Sequence, residues 1–142
     1  SLGLVGSEMC IRDSYHYFEQ HGKGHIAVIS SIAGTKGLGS APAYSATKRF
    51  QNTYIDALDQ LAHMKKLNIS FTDIRPGFVA TPLLKDDKYP LLMHTSQVAS
   101  QIVKAISRRK RVAIIDWRYQ LIVFFWKLIP GWLWVRLPVR NQ

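Results

Sequence analysis

Three short apolar runs, separated by stretches with helical periodicity, constrain the fold of this chain more than any other feature. They are "HIAVISS" (25 to 31), "NISFTDIRPG" (68 to 77) and "RVAIID" (111 to 116). The first, rich in β-branched residues, is typical of a strand buried on both faces. Strands that alternate with helices favour βαβ units, so the sequence predicts an α/β fold with a parallel sheet.

Helical patterns surround these strands. The longest runs from Ala43 to about Lys66, with Pro42 at its start and Ser40 as a possible cap. Another is expected over 95 to 109, opened by a hydroxyl cap, and residues 15 to 24 have the pattern of a helix end stopped by glycines.

The first fourteen residues, "SLGLVGSEMCIRDS", differ from the rest of the chain. They share no periodicity with the following segment and lack the charged start and apolar core of a signal peptide. They also resemble translated adaptor sequence from the ends of assembled sequencing reads. We therefore expect a non-native leader over 1 to 14 that makes few contacts with the domain, a frayed native helix end being the alternative.

A serine, a tyrosine and a lysine fall close together around the first strand and the long helix. Tyr44 and Lys48 are four residues apart and share one helix face, and Ser31 ends the preceding strand. A nearby ammonium favours the ionised form of a phenol, so such a pair can exchange a proton with an alcohol or alkoxide. Ser31 would lie at the carboxyl edge of the sheet, where ligands bind in this architecture. Alone, however, the Tyr–Lys spacing also fits two surface residues that merely share a helix face.

The complete arrangement resembles the short-chain dehydrogenase/reductase family. The resemblance is carried by "ISSIAG" (29 to 34), "YSATK" (44 to 48) and "RPGFVATPL" (75 to 83), and extends from about Tyr15 to Asp116. It implies a Rossmann-like, doubly wound parallel sheet, of which residues 15 to 116 would form the C-terminal half.

The resemblance also implies roles for individual residues. Tyr44 would be the general acid/base and would also contact the cofactor. Lys48 would assist Tyr44 and hold the nicotinamide ribose, and Ser31, favoured over Ser30 by its distance from Tyr44, would orient the substrate carbonyl. The segment after the second strand would contact the nicotinamide end of the cofactor. Its candidate residues are Pro76, Gly77, Phe78, Val79 and Thr81. Thr81 could instead cap a helix before Pro82.

Several features of the family are missing from this sequence. The glycine-rich turn that binds the dinucleotide pyrophosphate, the Asn-Ala-Gly motif and the asparagine that completes the catalytic tetrad would all fall before residue 15. We therefore interpret the chain as a C-terminal fragment that alone is inactive and binds dinucleotide poorly. The implied cofactor is NAD or NADP, with a small preference for NADP, but the region that decides is missing.

The segment from 117 to 142 is hydrophobic and basic. It holds all four Trp, and the net charge of +10 is concentrated near it, because residues 104 to 142 carry nine Lys or Arg and one acid. The apolar stretch is interrupted by Lys127 and Pro130-Gly131, which favours attachment to a membrane interface over a membrane-spanning helix. The alternatives are that the segment forms a wall of the substrate pocket or a subunit contact.

Together these observations predict an NAD(P)-dependent oxidoreductase that interconverts a carbonyl and an alcohol, with an apolar or lipid-like substrate. The alternative is a non-catalytic, membrane-associated binding module on the same scaffold. We expect a cytoplasmic protein that is either free or peripherally attached to a membrane. Formation of homo-oligomers is left open. We expect no metal site, since no metal-ligand spacing occurs among the His residues and Cys10 is the only cysteine, and no nucleic-acid binding, since "RRKR" (108 to 111) suits a solvated helix end.

Overall fold

The computed structural model describes the backbone of residues 2–80 and 91–139, and within these ranges the side chains from Glu8 onward. Strands and helices alternate along the chain. The helices are α1 (Leu2–His21), α2 (Pro42–Met64), α3 (Thr95–Ser107), α4 (Trp117–Leu128) and the short α5 (Gly131–Trp134). The strands are β1 (Lys23–Ile29), β2 (Asn68–Arg75) and β3 (Val112–Ile114).

The three strands form one parallel sheet in the order β1-β2-β3. Ile26 of β1 lies opposite Phe71 of β2, and Ile74 of β2 lies opposite Ala113 of β3. Because all strands run the same way, the residues that follow β1 and β2 meet at one edge of the sheet. The prediction of a Rossmann-like α/β fold with a parallel sheet is confirmed.

Two apolar clusters cover the sheet. The first joins α1, α2, β1 and β2 around Phe71 and Ile55, both fully buried. The second joins β2, α3 and α4 around Ile74, Val98 and Val123. Burial of side chains of this size contributes about 1.5–3 kcal/mol each, which fixes the helices against the strands and the strand ends against each other.

Strand β1 was predicted to be buried on both faces, and this is wrong. Ile29 is 56% exposed and Ala27 is also exposed, whereas Ile26 on the other face is buried. The reason is that β1 is an edge strand of the described sheet, and the helices that pack on β1 in the described part of the chain, α1 and α2, lie on the face that carries Ile26.

Both predicted helix caps are also wrong. The cap position of α2 is Ala41, not Ser40, and that of α3 is His94, with no side-chain cap bond at either helix. At α2, Pro42 occupies the first turn, where its missing N–H needs no partner.

Helix α1 passes through the expected boundary between residues 14 and 15. It begins at Leu2, and Ile11 is buried in the first cluster beside Tyr15. The expectation that residues 1 to 14 make few contacts is therefore wrong for Ile11, which uses the helical spacing to reach the same face as Tyr15. A non-native origin of this segment stays a prediction.

The hydrophobic C-terminal segment folds back onto the domain. Tyr119 and Val123 of α4 are buried in the second cluster, and Trp134 of α5 is buried against Ala33 and Leu38. None of the helices within residues 2–80 and 91–139 has the length and apolar character needed to cross a membrane.

Candidate active site

Helix α2 presents Tyr44 and Lys48 on one face, as predicted. Lys48 Nζ lies 5.6 Å from the centroid of the Tyr44 ring. Tyr44 is 51% exposed, in the first turn of the helix, so its phenol is accessible to a small molecule. The spacing of four residues therefore brings an ammonium beside a phenol at the carboxyl edge of the sheet.

The Lys48 ammonium is held from two sides. It donates to the carbonyl oxygen of Ile29, at the end of β1, and to Gln51 Oε1, each at 3.2 Å. Partial burial lowers the pKa of Lys48, while the negative charge of Asp73 acts in the opposite direction. Lys48 is thus tied to the end of the strand that leads into Ser31.

Ser31 and Ser30 have separate structural roles. Ser31 caps the single 3-10 turn Ile32–Gly34: its Oγ accepts from the Ala33 N–H at 3.1 Å and donates weakly to the Pro76 carbonyl at 3.4 Å. Ser30 Oγ instead donates to Asp73 Oδ1 at 2.5 Å in the interior. Ser30 is therefore occupied by the core, and Ser31 stands at the junction of the two strand ends.

A buried polar network lies directly behind these residues, and the sequence reasoning missed it. Asp73, fully buried in β2, accepts two bonds from Arg75, at 2.8 Å from Nε and 2.6 Å from Nη2. With the Asn52 amide oriented to suit its neighbours, its Nδ2 donates to Ser30 Oγ at 2.9 Å and to Asp73 Oδ2 at 3.2 Å. The signal in the sequence was an Asp-x-Arg pair inside an apolar strand, since buried charges need partners.

Gly34 allows the loop after β1 to approach α2. A Cβ at this position would lie 2.6 Å from an end atom of the Asn52 amide and 2.8 Å from the backbone carbon of Lys48. Only glycine leaves room for this contact, which sets the distance between the Ser31 turn and the helix that carries Lys48.

The segment after β2 is fixed by backbone pairing. Ala80 N–H donates to the Met93 carbonyl at 2.9 Å, and Met93 N–H donates to the Phe78 carbonyl at 3.0 Å. Pro76, Gly77, Phe78 and Val79, all predicted cofactor contacts, therefore follow the strand end next to Ser31. Thr81 lies outside the described residues.

A cavity of about 860 Å³ opens beside the loop between Ser31 and Tyr44. One wall is that loop, from Gly34 to Ser40, and another is the first part of α2, including Arg49. The third wall is the C-terminal segment from Trp134 to Val139. Tyr44 itself does not line the cavity. No cluster of three or more His, Cys, Asp or Glu that could hold a metal occurs among the described residues.

The parallel sheet, with Tyr44 and Lys48 on one helix face at its carboxyl edge, makes this an α/β protein with a candidate proton-transfer site. Comparison with known proteins defines the family: residues 1–90 match the model of the short chain dehydrogenases. The chain belongs to the short-chain dehydrogenase/reductase family of oxidoreductases. An uncharacterized oxidoreductase from Myxococcus xanthus is 30% identical over 111 residues, which are 77% of this chain and 43% of that protein.

Solved structures agree in fold. A short chain dehydrogenase from Burkholderia cenocepacia, crystallised with NADP, aligns with a TM-score of 0.68 at 16% identity, over 83% of this chain and 48% of that chain. One from Burkholderia phymatum, in complex with NAD, aligns with a TM-score of 0.59 at 16% identity, over 75% of this chain and 48% of that chain. The chain thus spans about half the length of the relatives that it matches.

Proposed function

We propose that the whole protein is an NAD(P)-dependent oxidoreductase that interconverts a carbonyl and an alcohol, with Tyr44 as general acid/base. The observation that carries this proposal is the position of Lys48 Nζ, 5.6 Å from the Tyr44 ring centroid and bonded to the end of β1. An accessible phenol beside an ammonium is suited to proton transfer at a substrate oxygen.

In the reducing direction, the Tyr44 hydroxyl gives its proton to the carbonyl oxygen as that oxygen gains charge. The Lys48 ammonium stabilises the phenolate that remains. Ser31 Oγ, which donates to Pro76 O over a long 3.4 Å while accepting from the Ala33 N–H, turns to donate to the same substrate oxygen and so holds it near Tyr44. When bound, the nicotinamide supplies or accepts the hydride at the carbonyl carbon.

The described residues fit the nicotinamide end of a dinucleotide. In an extended segment, successive peptide groups point to opposite sides, so the N–H and C=O of Val79 face away from Met93. They can therefore bond an amide such as that of nicotinamide, and the Lys48 ammonium would donate to a ribose hydroxyl of the bound cofactor. Neither the glycine-rich turn for the pyrophosphate nor the family's region that chooses between NAD and NADP occurs in this sequence, so the proposed cofactor is either dinucleotide.

We further propose that residues 15 to 116 are the C-terminal half of the catalytic domain and that this chain alone is inactive. Ile29 is exposed at the edge strand β1, and the matched relatives are about twice as long. An unpaired strand edge is suited to pairing with a further strand of the same domain. The chain alone should then bind reduced dinucleotide much more weakly than the full-length protein, as measured by nucleotide fluorescence.

Replacing Tyr44 tests the proposed reaction. In the full-length protein, Tyr44→Phe should lower kcat at least 100-fold, by order of magnitude for loss of a general acid, and leave dinucleotide affinity within about threefold. Tyr17→Phe is the matched control, since Tyr17 is an exposed residue of α1 far along the chain from the site. Carbonyl-dependent oxidation of reduced dinucleotide that persists in Tyr44→Phe within threefold of the wild type would contradict the role.

The C-terminal segment supports a second proposal, attachment to a membrane interface and therefore access to an apolar or lipid-like substrate. Its outward side chains include Trp117, Phe124, Phe125, Leu128 and Trp132, all more than half exposed. Exposed aromatic side chains next to basic residues are typical of interfacial segments. Arg118, however, is paired with Asp116 at 2.9 Å, so it is not one of the cations available to lipid, and Arg140 lies outside the described residues.

Point substitutions test this attachment better than truncation, because truncation would remove Tyr119 and Val123 from the core. Phe124→Ser with Phe125→Ser should reduce co-sedimentation with vesicles that contain anionic lipid. The matched control is Val103→Ser, which removes an equally exposed apolar side chain from α3. Equal sedimentation of all three proteins would refute the attachment and with it the membrane-associated binding module as an alternative function.

A further inference from the structure

The described C-terminal segment, residues 117–139, contacts both loops that carry the candidate active site. One contact is made by Tyr119 of α4 and the other by Trp134 of α5, and both side chains are buried. Neither residue belongs to the motifs that define the site. Their contacts are therefore a separate observation from the Tyr–Lys geometry.

Tyr119 holds the segment that follows β2. Its ring packs on Gly77 so closely that a Cβ there would lie 2.3 Å from a ring carbon. Its hydroxyl accepts from the Phe78 N–H at 3.1 Å and donates to the Leu91 carbonyl at 3.1 Å. Burial raises the pKa of Tyr119, so the hydroxyl keeps its proton and can make both bonds. One phenol thus ties together two positions, Phe78 and Leu91, on either side of residues 81–90.

Trp134 holds the loop between Ser31 and Tyr44. Its indole Nε1–H donates to the Gly37 carbonyl at 2.7 Å, and its ring packs on Ala33 and Leu38. Lys36 of the same loop donates to the Ile129 carbonyl at 2.5 Å and lies 5.6 Å from the centroid of the Trp134 ring system. The loop is therefore bonded to the C-terminal segment through both a backbone acceptor and a side-chain donor.

We propose that Tyr119 and Trp134 are positioning residues, and that the C-terminal segment braces the two loops of the active site. The polar atoms of both side chains bond to backbone groups of those loops, which a purely apolar packing role would not require. Tyr119 would position the segment proposed to contact the nicotinamide, and Trp134 the loop that joins the substrate-orienting serine to the acid/base tyrosine. The effect of these contacts on catalysis rests on the proposed function, whereas the contacts between the C-terminal segment and the two loops do not.

Hydrogen exchange on this 142-residue chain tests the brace without any measurement of activity. Tyr119→Phe keeps the ring on Gly77 and removes both hydroxyl bonds. Exchange at the Phe78 amide should then become about fivefold faster, because the amide loses one hydrogen bond of ordinary net strength. Trp134→Phe should accelerate exchange in the loop that contains Leu38 to a similar degree. The controls Tyr17→Phe and Trp132→Phe remove the same groups from exposed side chains and should leave both regions unchanged. If Tyr119→Phe and Trp134→Phe exchange like the wild type in these regions, the brace is wrong.

Steady-state kinetics of the full-length enzyme test the positioning roles. Tyr119→Phe should raise the KM for the dinucleotide about fivefold and leave kcat within about threefold. Trp134→Phe should lower kcat/KM for the carbonyl compound about fivefold and leave the KM for the dinucleotide unchanged. If Tyr119→Phe and Trp134→Phe change the KM for the dinucleotide and the kcat/KM for the carbonyl compound by the same factors, both residues have a merely structural role and the proposal is overturned. If the wild type shows no turnover, the proposed reaction fails, and the exchange data still decide the brace.

Discussion

Replacing Asp73 should destabilise the chain more than any single surface substitution. Asp73 is fully buried, and its carboxylate is the partner of the Arg75 guanidinium, whose side chain is only 10% exposed. Asp73→Asn preserves the shape of the side chain but removes the charge, so it leaves a buried cation without its counter-ion. Breaking a buried pair in this way costs about 3–5 kcal/mol.

A double substitution separates the charge effect from simple loss of packing. Asp73→Asn combined with Arg75→Met removes the unpaired cation, so it should be more stable than Asp73→Asn alone. The measurement is the free energy of unfolding in urea. The matched control is Asp56→Asn, since Asp56 pairs with Arg111 at 2.6 Å but is 63% exposed, and its loss should cost no more than about 1 kcal/mol. A loss below about 1 kcal/mol for Asp73→Asn, or a double variant less stable than the single one, would refute the reasoning.

Two further predictions concern the loop after β1 and the pH dependence of stability. Gly34→Ala should cost about 1–3 kcal/mol in urea unfolding, because the new Cβ would lie 2.8 Å from the Lys48 backbone, whereas Gly37→Ala, with nothing within 4 Å, should not show this steric cost. Burial lowers the pKa of His25 from its ordinary 6.5, so below that pH the unfolded chain binds more protons and stability falls until the lower folded pKa is passed. The midpoint of thermal unfolding should therefore fall less between pH 7.5 and about 5 in His25→Gln than in the wild type, and the glutamine can keep a bond to Thr72 Oγ1. An equal fall of the midpoint in both proteins would contradict this prediction.

The order of elements and the Tyr–Lys pair could be predicted from sequence because both depend on local spacing. Apolar runs bounded by glycine and proline mark β1 and β2, and a four-residue step on a helix places Tyr44 beside Lys48 whatever the rest of the chain does. The exposed face of β1 could not be predicted, since the pattern of a strand does not state which elements cover it. The same holds for α1, whose residues before 15 show no clear period although Ile11 is buried.

The C-terminal segment shows most clearly what sequence patterns leave out. Tyr119 and Phe124 lie in the same apolar stretch, yet Tyr119 is 2% exposed and Phe124 is 58% exposed. Composition alone favoured a membrane interface for the whole segment, whereas the inner side chains pack on the domain and only the outer ones are available to lipid. The Ser30–Asp73–Asn52 contacts were missed for a related reason, because residues 43 and 21 positions apart meet only when the sheet and α2 are assembled.

A double-mutant cycle on kcat tests most directly the central claim, that Tyr44 and Lys48 act as one proton-transfer unit. The full-length enzyme is compared with Tyr44→Phe, Lys48→Met and the combined variant, at saturating dinucleotide and carbonyl compound. Residues that act together are strongly non-additive, so the combined variant should be about as slow as the slower single one. If the two losses instead multiply, Lys48 acts independently of Tyr44, and the proposed proton transfer from an ammonium-assisted phenol is wrong.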